Sequence, residues 1–325
     1  MSELRDLIEA SDLDGLVRRA DSLVERRDWA GLVELRDLCD EATERGKQVW
    51  GVAHFAEYRL ALDAPADFAL PVIRPGAGRF AQGPLWEVAA SSHSWGELSD
   101  LEDPALRALV AHERILRGDD VSSVVVDRTV VDAPLAIADW EPAYAVAQYK
   151  SDRAEFPELE VLSLGGWVEL PDVAGPDSGE DDPIVALLDL VHPWLDSSNG
   201  RGEGTAVVGR AVDAIRALGP RRVRIEEVTL QQAMAIMAWT GASGGAHGRR
   251  RGSPVGRALA WWALAVLSGL DDDWPVAADE LGEAGAELRW YMWDPGDQVG
   301  GWHFHIAVED PADGLAWAVS AVDAP

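Results

Sequence analysis

The sequence predicts a helix-rich α+β protein: N-terminal helical hairpins or a small bundle, then a C-terminal module of helices packed on a small sheet that includes a late β-hairpin. Three observations carry that prediction. Apolar residues recur at spacings of three and four through residues 2–62, the period of amphipathic helices. Near the C-terminus, RWYMW and WHFHIAV alternate in the manner of strands and flank the glycine-rich DPGDQVGG. The chain has 325 residues, 47% of them hydrophobic, which is enough for a sizeable core and comfortable for two domains.

The elements follow in order. Leu4, Leu7 and Ile8 form one stripe, and Leu13, Leu16, Val17, Ala20 and Val24 the next. Trp29, Leu32, Val33, Leu35 and Leu38 follow, then Val49, Val52, Ala53, Ala56 and Leu60. Breaks fall at residues 12–15, near Asp28 and at Gly46, so residues 1–64 read as a helical region. Residues 65–170 read as a mixed α/β region with irregular Pro/Gly segments such as APADFALPVIRPGAGRFAQGP. Helices resume at 84–92 and in LEDPALRALVAHERILRG, where Asp103 caps and Pro104 opens the first turn. SSVVVDRTVV, AYAVAQYK and VLSLGGWVEL have strand composition. PDVAGPDSGEDD, residues 171–182, reads as a linker or a long surface loop, leaving 183–325 as the α+β module.

Within that module, IVALLDLVHPWL reads as a helix ending at Pro193, and GTAVVGRAVDAIRALGP as a helix ending at Gly219. RRVRIEEV is a strand, and TLQQAMAIMAWTG a helix with Thr229 and Gln232 in a capping box. Ser253 is placed to cap the helix PVGRALAWWALAVLSG, whose Trp261 and Trp262 both fall in its apolar body. The hairpin puts Trp302, Phe304, Ile306 and Val308 on one face and His303, His305 and Glu309 on the other. A closing helix is read in PADGLAWAVSAV.

Composition excludes several classes. There is no apolar run of membrane-spanning length, and the acidic start lacks the form of a secretory signal. Cys39 is the only cysteine and reads as a small buried hydrophobe. These features predict a cytoplasmic protein. The formal net charge of -29 argues against direct nucleic-acid binding, which relies on many basic contacts to phosphate. Only Lys47 and Lys150 are lysine, a bias toward arginine that fits a GC-rich genome.

One stretch runs against the acidity. In GGAHGRRRGSPVGR, Arg249, Arg250 and Arg251 stand in a glycine-rich loop ahead of a helix start, with His247, Ser253 and Arg257 close by in sequence. A helix N-terminus already carries free N–H groups and partial positive charge, so this arrangement calls for an anion. Candidates are the chain's own C-terminal carboxylates, an acidic protein partner or a phosphate-bearing ligand. The lysine and hydroxyl that end a P-loop are missing, and the loop follows a helix, not a strand. His303 and His305 are candidate metal ligands, with Glu309, Asp294 and Asp297 near in sequence, but no zinc spacing supports them. Residues 180–182 and 271–273 are acidic without EF-hand spacing. No GxSxG or other local nucleophile pattern occurs, and no cofactor is expected.

RPGAGRFAQGPLWEVAASSHSW, GGAHGRRRG with the later GRALAWWALAVLSGLDDDWP, and AELRWYMWDPGD with IAVEDPADGLAWAV resemble segments of an uncharacterised actinobacterial family, a domain of unknown function. The resemblance implies no activity and no site residue. The leading expectation from the residues is a binding or interaction protein, with the glycine–arginine loop and nearby tryptophans as its recognition site. The competing expectations are an enzyme on an anionic small molecule or nucleotide, using His247 or His303 and His305 for proton transfer, and an acidic mimic of nucleic acid.

Overall fold

A computed structural model describes residues 2–78, 81–121, 123–157, 164–179, 181–296 and 300–324. The chain divides into two compact units, residues 1–130 with 146–157, and residues 131–145 with 158–325.

The first unit is helical, as the stripes predict. It contains α1 (Ser2–Ala10), α2 (Leu13–Glu25), α3 (Trp29–Glu44) and α4 (Trp50–Asp63). Asp12 and Asp28 accept the amides of Gly15 and Gly31 at 2.9 and 3.0 Å, which satisfies first-turn donors and fixes where α2 and α3 begin. Leu16, Ala20, Leu23, Leu32, Leu35 and Leu60 are buried between the helices. Cys39 is buried with them; that burial, with the charge of Asp40, pushes its thiol pKa up to about 11. It stays protonated at neutral pH.

The Pro/Gly segment forms only the short α5 (Ala66–Ala69) and a 3-10 turn at Leu70–Val72 before becoming irregular, and residues 79 and 80 fall outside the described residues. Then come α6 (Leu85–Ser92), α7 (Trp95–Leu98) and α8 (Pro104–Leu116), the last capped by Asp103 on the Leu106 amide at 2.9 Å. The strand expected in SSVVVDRTVV is absent over residues 123–130: Val125 and Val130 are exposed and no neighbouring strand offers a ladder. AYAVAQYK contributes only β1 (Gln148–Tyr149), paired antiparallel with β2 (Ala154–Glu155).

The second unit is built on a six-stranded antiparallel sheet. In chain order its elements are β3 (Trp167–Glu169), α9 (Asp182–Asp189), α10 (His192–Asp196), β4 (Arg201–Val208), α11 (Ala211–Ala217), β5 (Arg222–Val228) and α12 (Leu230–Ala242). They continue with α13 (Ser253–Leu267), α14 (Ala278–Glu287), β6 (Arg289–Asp294), β7 (Trp302–Asp310) and β8 (Leu315–Asp323). The strands lie in the order β3-β5-β6-β7-β8-β4. Of VLSLGGWVEL only the end is strand, and residues 161–163 are outside the described set. The acidic 171–182 stretch lies against β4 through an Asp177 to Val207 bridge; Glu180 is outside the described residues.

Three readings of this half are corrected. GTAVVGRAVDAIRALGP is not one helix: GTAVV completes β4, and α11 starts after Gly209. Thr205, Val207 and Val208 pair with Ala318, Ala316 and Leu315, and their β-branched side chains suit that ladder. The closing helix is the strand β8, paired along its whole length with β7 and β4. Both its faces are covered over residues 316–319, so that half lacks the alternation that marks a half-buried strand; beyond it Ser320 and Val322 are only half-buried. The turn before it is specified locally: Asp310 Oδ1 accepts the amides of Ala312 and Asp313, and Gly314 takes φ +67°. Finally, Pro193 does not end a helix but sits in the first turn of α10, after α9 has stopped at Asp189.

The sheet has two different faces. On one, Phe304, Ile306, Val308 and Val319 are fully buried beneath a helical layer of α9 and α12, on which α13 packs. On the other, α11 packs, setting Ala211, Ala214 and Ile215 against Val207, Ala307, Ala316, Ala318 and Trp293. Within the helical layer Trp261 is fully buried, while Trp262 is only half-buried, against the expectation for both.

The crossing of α12 and α13 depends on Gly256. A Cβ there would collide with the Ala238 carbonyl oxygen and the Ala242 amide nitrogen, both backbone atoms that cannot step aside. Gly256→Val is therefore expected to destabilise the second unit by about 3 kcal/mol or more, the upper end of overpacking costs. Urea unfolding followed by circular dichroism checks it; an unchanged midpoint would contradict this close approach.

Candidate functional site

The glycine–arginine loop, residues 243–252, joins α12 to α13. Arg251 and Gly252 both donate their amides to the Ala242 carbonyl, at 2.9 and 3.3 Å, which folds the loop back on the end of α12. The N-cap of α13 is Gly252, with φ 98°, so Ser253 lies inside the first turn and makes no cap bond; this corrects its expected place. Its hydroxyl accepts instead from Arg250 Nη2 at 3.0 Å. The glycines serve close packing. Cβ atoms on Gly244 or Gly248 would strike the other's backbone, and Gly245, at φ +72°, lies against Trp194 and the Asp323 carboxylate.

An anion does meet this loop, and it belongs to the chain. Asp323, fully buried at the end of β8, accepts the Ala246 amide at 2.6 Å. It sits at the loop amides, not at the first turn of α13. Arg250 and Arg251 reach different partners. Arg251 Nη2 donates to the Asp189 carbonyl at 2.9 Å, and burial pushes its pKa below the usual arginine value against the opposing charge of Asp189. Arg249 and His247 are exposed, and the His247 amide donates to Ser198 Oγ at 3.1 Å. Beside the loop, Trp194 is buried against Trp302, and Trp302 stacks on Trp239 with centroids 4.8 Å apart; the last two are half-buried.

Arg257 is not at the surface. It is 1% exposed and grips Glu141 in a fork, Nε to Oε2 and Nη2 to Oε1, both at 2.7 Å. Its remaining donors reach the Pro134 and Ala136 carbonyls at 2.8 Å. Glu141 also accepts from Trp261 Nε1 at 2.9 Å and Tyr144 Oη at 2.6 Å. Burial pushes the Glu141 carboxyl up, but the hydrogen bonds and charge of Arg257, with help from Tyr144 and the Ala138 amide, outweigh it and hold its pKa below the ordinary value.

The second concave feature lies on the sheet face that α11 only partly covers. There His305 stands opposite Ser320, and Ser320 opposite Glu203; one step along, His303 is opposite Val322, and Val322 opposite Arg201. Trp293 contacts His305 with centroids 4.7 Å apart. Leu218 and Pro220, after α11, and Pro295, after β6, complete the walls of a cleft of about 440 Å³. His303 and His305 lie with ring centroids 6.0 Å apart. Among the described residues no group of three or more His, Cys, Asp or Glu is placed to hold a metal, and Asp297 lies outside them.

The β7 half of this cleft follows from alternation in sequence. Glu203, Ser320 and Arg201 do not, because their segments carry helix-like patterns or sit far away along the chain. Glu141 carries no local signal either.

Two outcomes follow. Glu141→Ala leaves the Arg257 guanidinium buried without its partner and is expected to cost about 3–5 kcal/mol of unfolding free energy. Because the folded Glu141 pKa is depressed, its stabilisation is full above the ordinary carboxylate range and is lost as pH falls through the lower folded value. Acid titration of unfolding free energy should thus be shallower in Glu141→Gln than in the parent; parallel curves would contradict the assignment. Separately, Asp323→Ala should free the loop, at a cost of about 1–3 kcal/mol. Amide exchange at residues 244–248 reads this directly, and unchanged protection there would count against the anchor.

No helix among the described residues is long and apolar enough to cross a membrane. No curated protein and no solved structure matches the chain. A family described as one of unknown function, DUF6183, matches residues 14–324, and the chain belongs to that family.

Proposed function

We propose that this chain is a binding protein whose ligand, a small molecule, enters the cleft on the β7, β8 and β4 face. One observation carries the reading: charged and hydroxyl side chains converge with Trp293 in a cavity of about 440 Å³ walled by Leu218, Pro220 and Pro295. That volume falls among ligand pockets, about 300–1,000 Å³, which pair apolar walls with a few placed polar groups.

The order of residues favours binding over acyl transfer. Across the strands it runs His305, Ser320, Glu203, with the hydroxyl in the middle. A relay that activates a serine needs the imidazole between hydroxyl and carboxylate. The glycine–arginine loop supports a second reading, an acidic partner or phosphate-bearing ligand, through exposed His247 and Arg249 beside half-buried Trp239 and Trp302. Asp323 on the Ala246 amide and Glu141 on Arg257 already meet two of the positive sites there, so the cleft is the stronger candidate.

A thermal-shift screen of small metabolites against the parent chain and against Ser320→Trp and Leu218→Trp, each of which fills the cleft, tests the proposal. At least one compound should raise the parent's melting temperature and fail to shift either variant, with both variants folded by circular dichroism. No stabilising compound, or shifts that persist in both variants, would overturn it.

A further inference from the structure

The mouth of the cleft has a charge pattern that narrows its ligand. Arg201 and Glu203 are two residues apart on β4, on the same face and about 7 Å from each other along the strand. Both are exposed, and among the described residues neither is in an ion pair. Opposite charges at this spacing, left apart, present a cation site and an anion site to the same volume. From these groups we infer that the ligand is a zwitterion of amino-acid type: a free α-amino acid whose carboxylate meets Arg201, whose ammonium meets Glu203, and whose apolar or aromatic side chain lies on Leu218, Pro220 and Val322.

A net anion would gain Arg201 but meet Glu203 and the field of a chain with net charge -29. A net cation would gain that field but bring its charge against Arg201. A neutral molecule can hydrogen-bond to both side chains but brings an opposite charge to neither. A zwitterion satisfies both at once, and each contact is a charge-assisted hydrogen bond. Ser320, between His305 and Glu203, offers a hydroxyl that both donates and accepts beside the ammonium. The indole of Trp293 is 3% exposed, so it backs the cleft as a fixed support and leaves the apolar contact to half-buried Leu218, Pro220 and Val322.

This inference rests on the cleft reading above, and its test separates the two. Isothermal titration with L-leucine, L-phenylalanine and L-tryptophan is compared with their N-acetyl and carboxamide derivatives. A free amino acid should bind, and blocking either end should weaken binding about tenfold or more, the worth of one charge-assisted hydrogen bond. Arg201→Ala should cost about as much for the free acid while leaving the carboxamide unaffected, and Glu203→Gln should do the same for the ammonium and the N-acetyl form. Both positions are exposed, so loss of fold does not confuse the result. If the derivatives bind as tightly as the free acids but not to Ser320→Trp, the zwitterion assignment falls and the cleft stands. The same holds if no amino acid binds at millimolar concentration while another metabolite gives a shift that Ser320→Trp removes. Binding that survives Ser320→Trp removes the cleft as well.

Discussion

The fork between Arg257 and Glu141 is the constraint on which the C-terminal unit depends. Segment 131–145 has no helix or strand of its own, so its place is set by side chains. Glu141 takes two bonds from Arg257, one from Trp261 and one from Tyr144, while Arg257 satisfies two carbonyls of the same segment. Removing two charges from water is expensive, and such a pair repays it only with good geometry and few donors left over. Here the geometry is bidentate, which fixes both direction and distance. Trp140 adds a second tie by donating to the Ala278 carbonyl at 2.8 Å, at the start of α14. A short run of irregular chain thereby becomes part of the wall around α13.

With α13 held, the glycine–arginine loop has little freedom. Its entrance is the end of α12, its exit the fixed first turn of α13, and the crossing of those helices at Gly256 leaves no room for side chains. Asp323 then closes it from the sheet side. The positive charge of this region is therefore mostly internal architecture. Arginine 257 satisfies a buried carboxylate, Arg251 a helix-end carbonyl, and the loop amides a C-terminal aspartate. The other sheet face is less completely covered. There α11 is too short to cover four strands, and the uncovered remainder is the cleft.

Much of the fold can be read along the chain, because it is written in local terms. The stripes of α2 and α3 and their Asp caps lie within a few residues of one another, as do the capping box of Thr229 with Gln232 and the alternation of β6 and β7. Strand β8 is buried on both faces over residues 316–319, so its apolar run is compatible with either period until a partner is known. In β4, the short alanine, valine and threonine run continues directly into a true helix, and only pairing with β8 marks the boundary. SSVVVDRTVV shows the converse, strand composition with no edge to join.

The sequence by itself determined that this is a helix-rich α+β chain of strongly negative charge, with a sheet near its end and a cluster of arginines in a glycine-rich loop. Those properties depend on composition, on period and on neighbours in the chain. Only tertiary structure decided which carboxylate answers Arg257 and which one meets the loop amides. Glu141 lies more than a hundred residues from Arg257, and Asp323 more than seventy from Ala246. The same holds for the cleft: Arg201, Glu203, His305 and Ser320 become neighbours through strand order and register alone. Pairing across a sheet is a long-range choice made by the burial of both faces, and no local pattern records it.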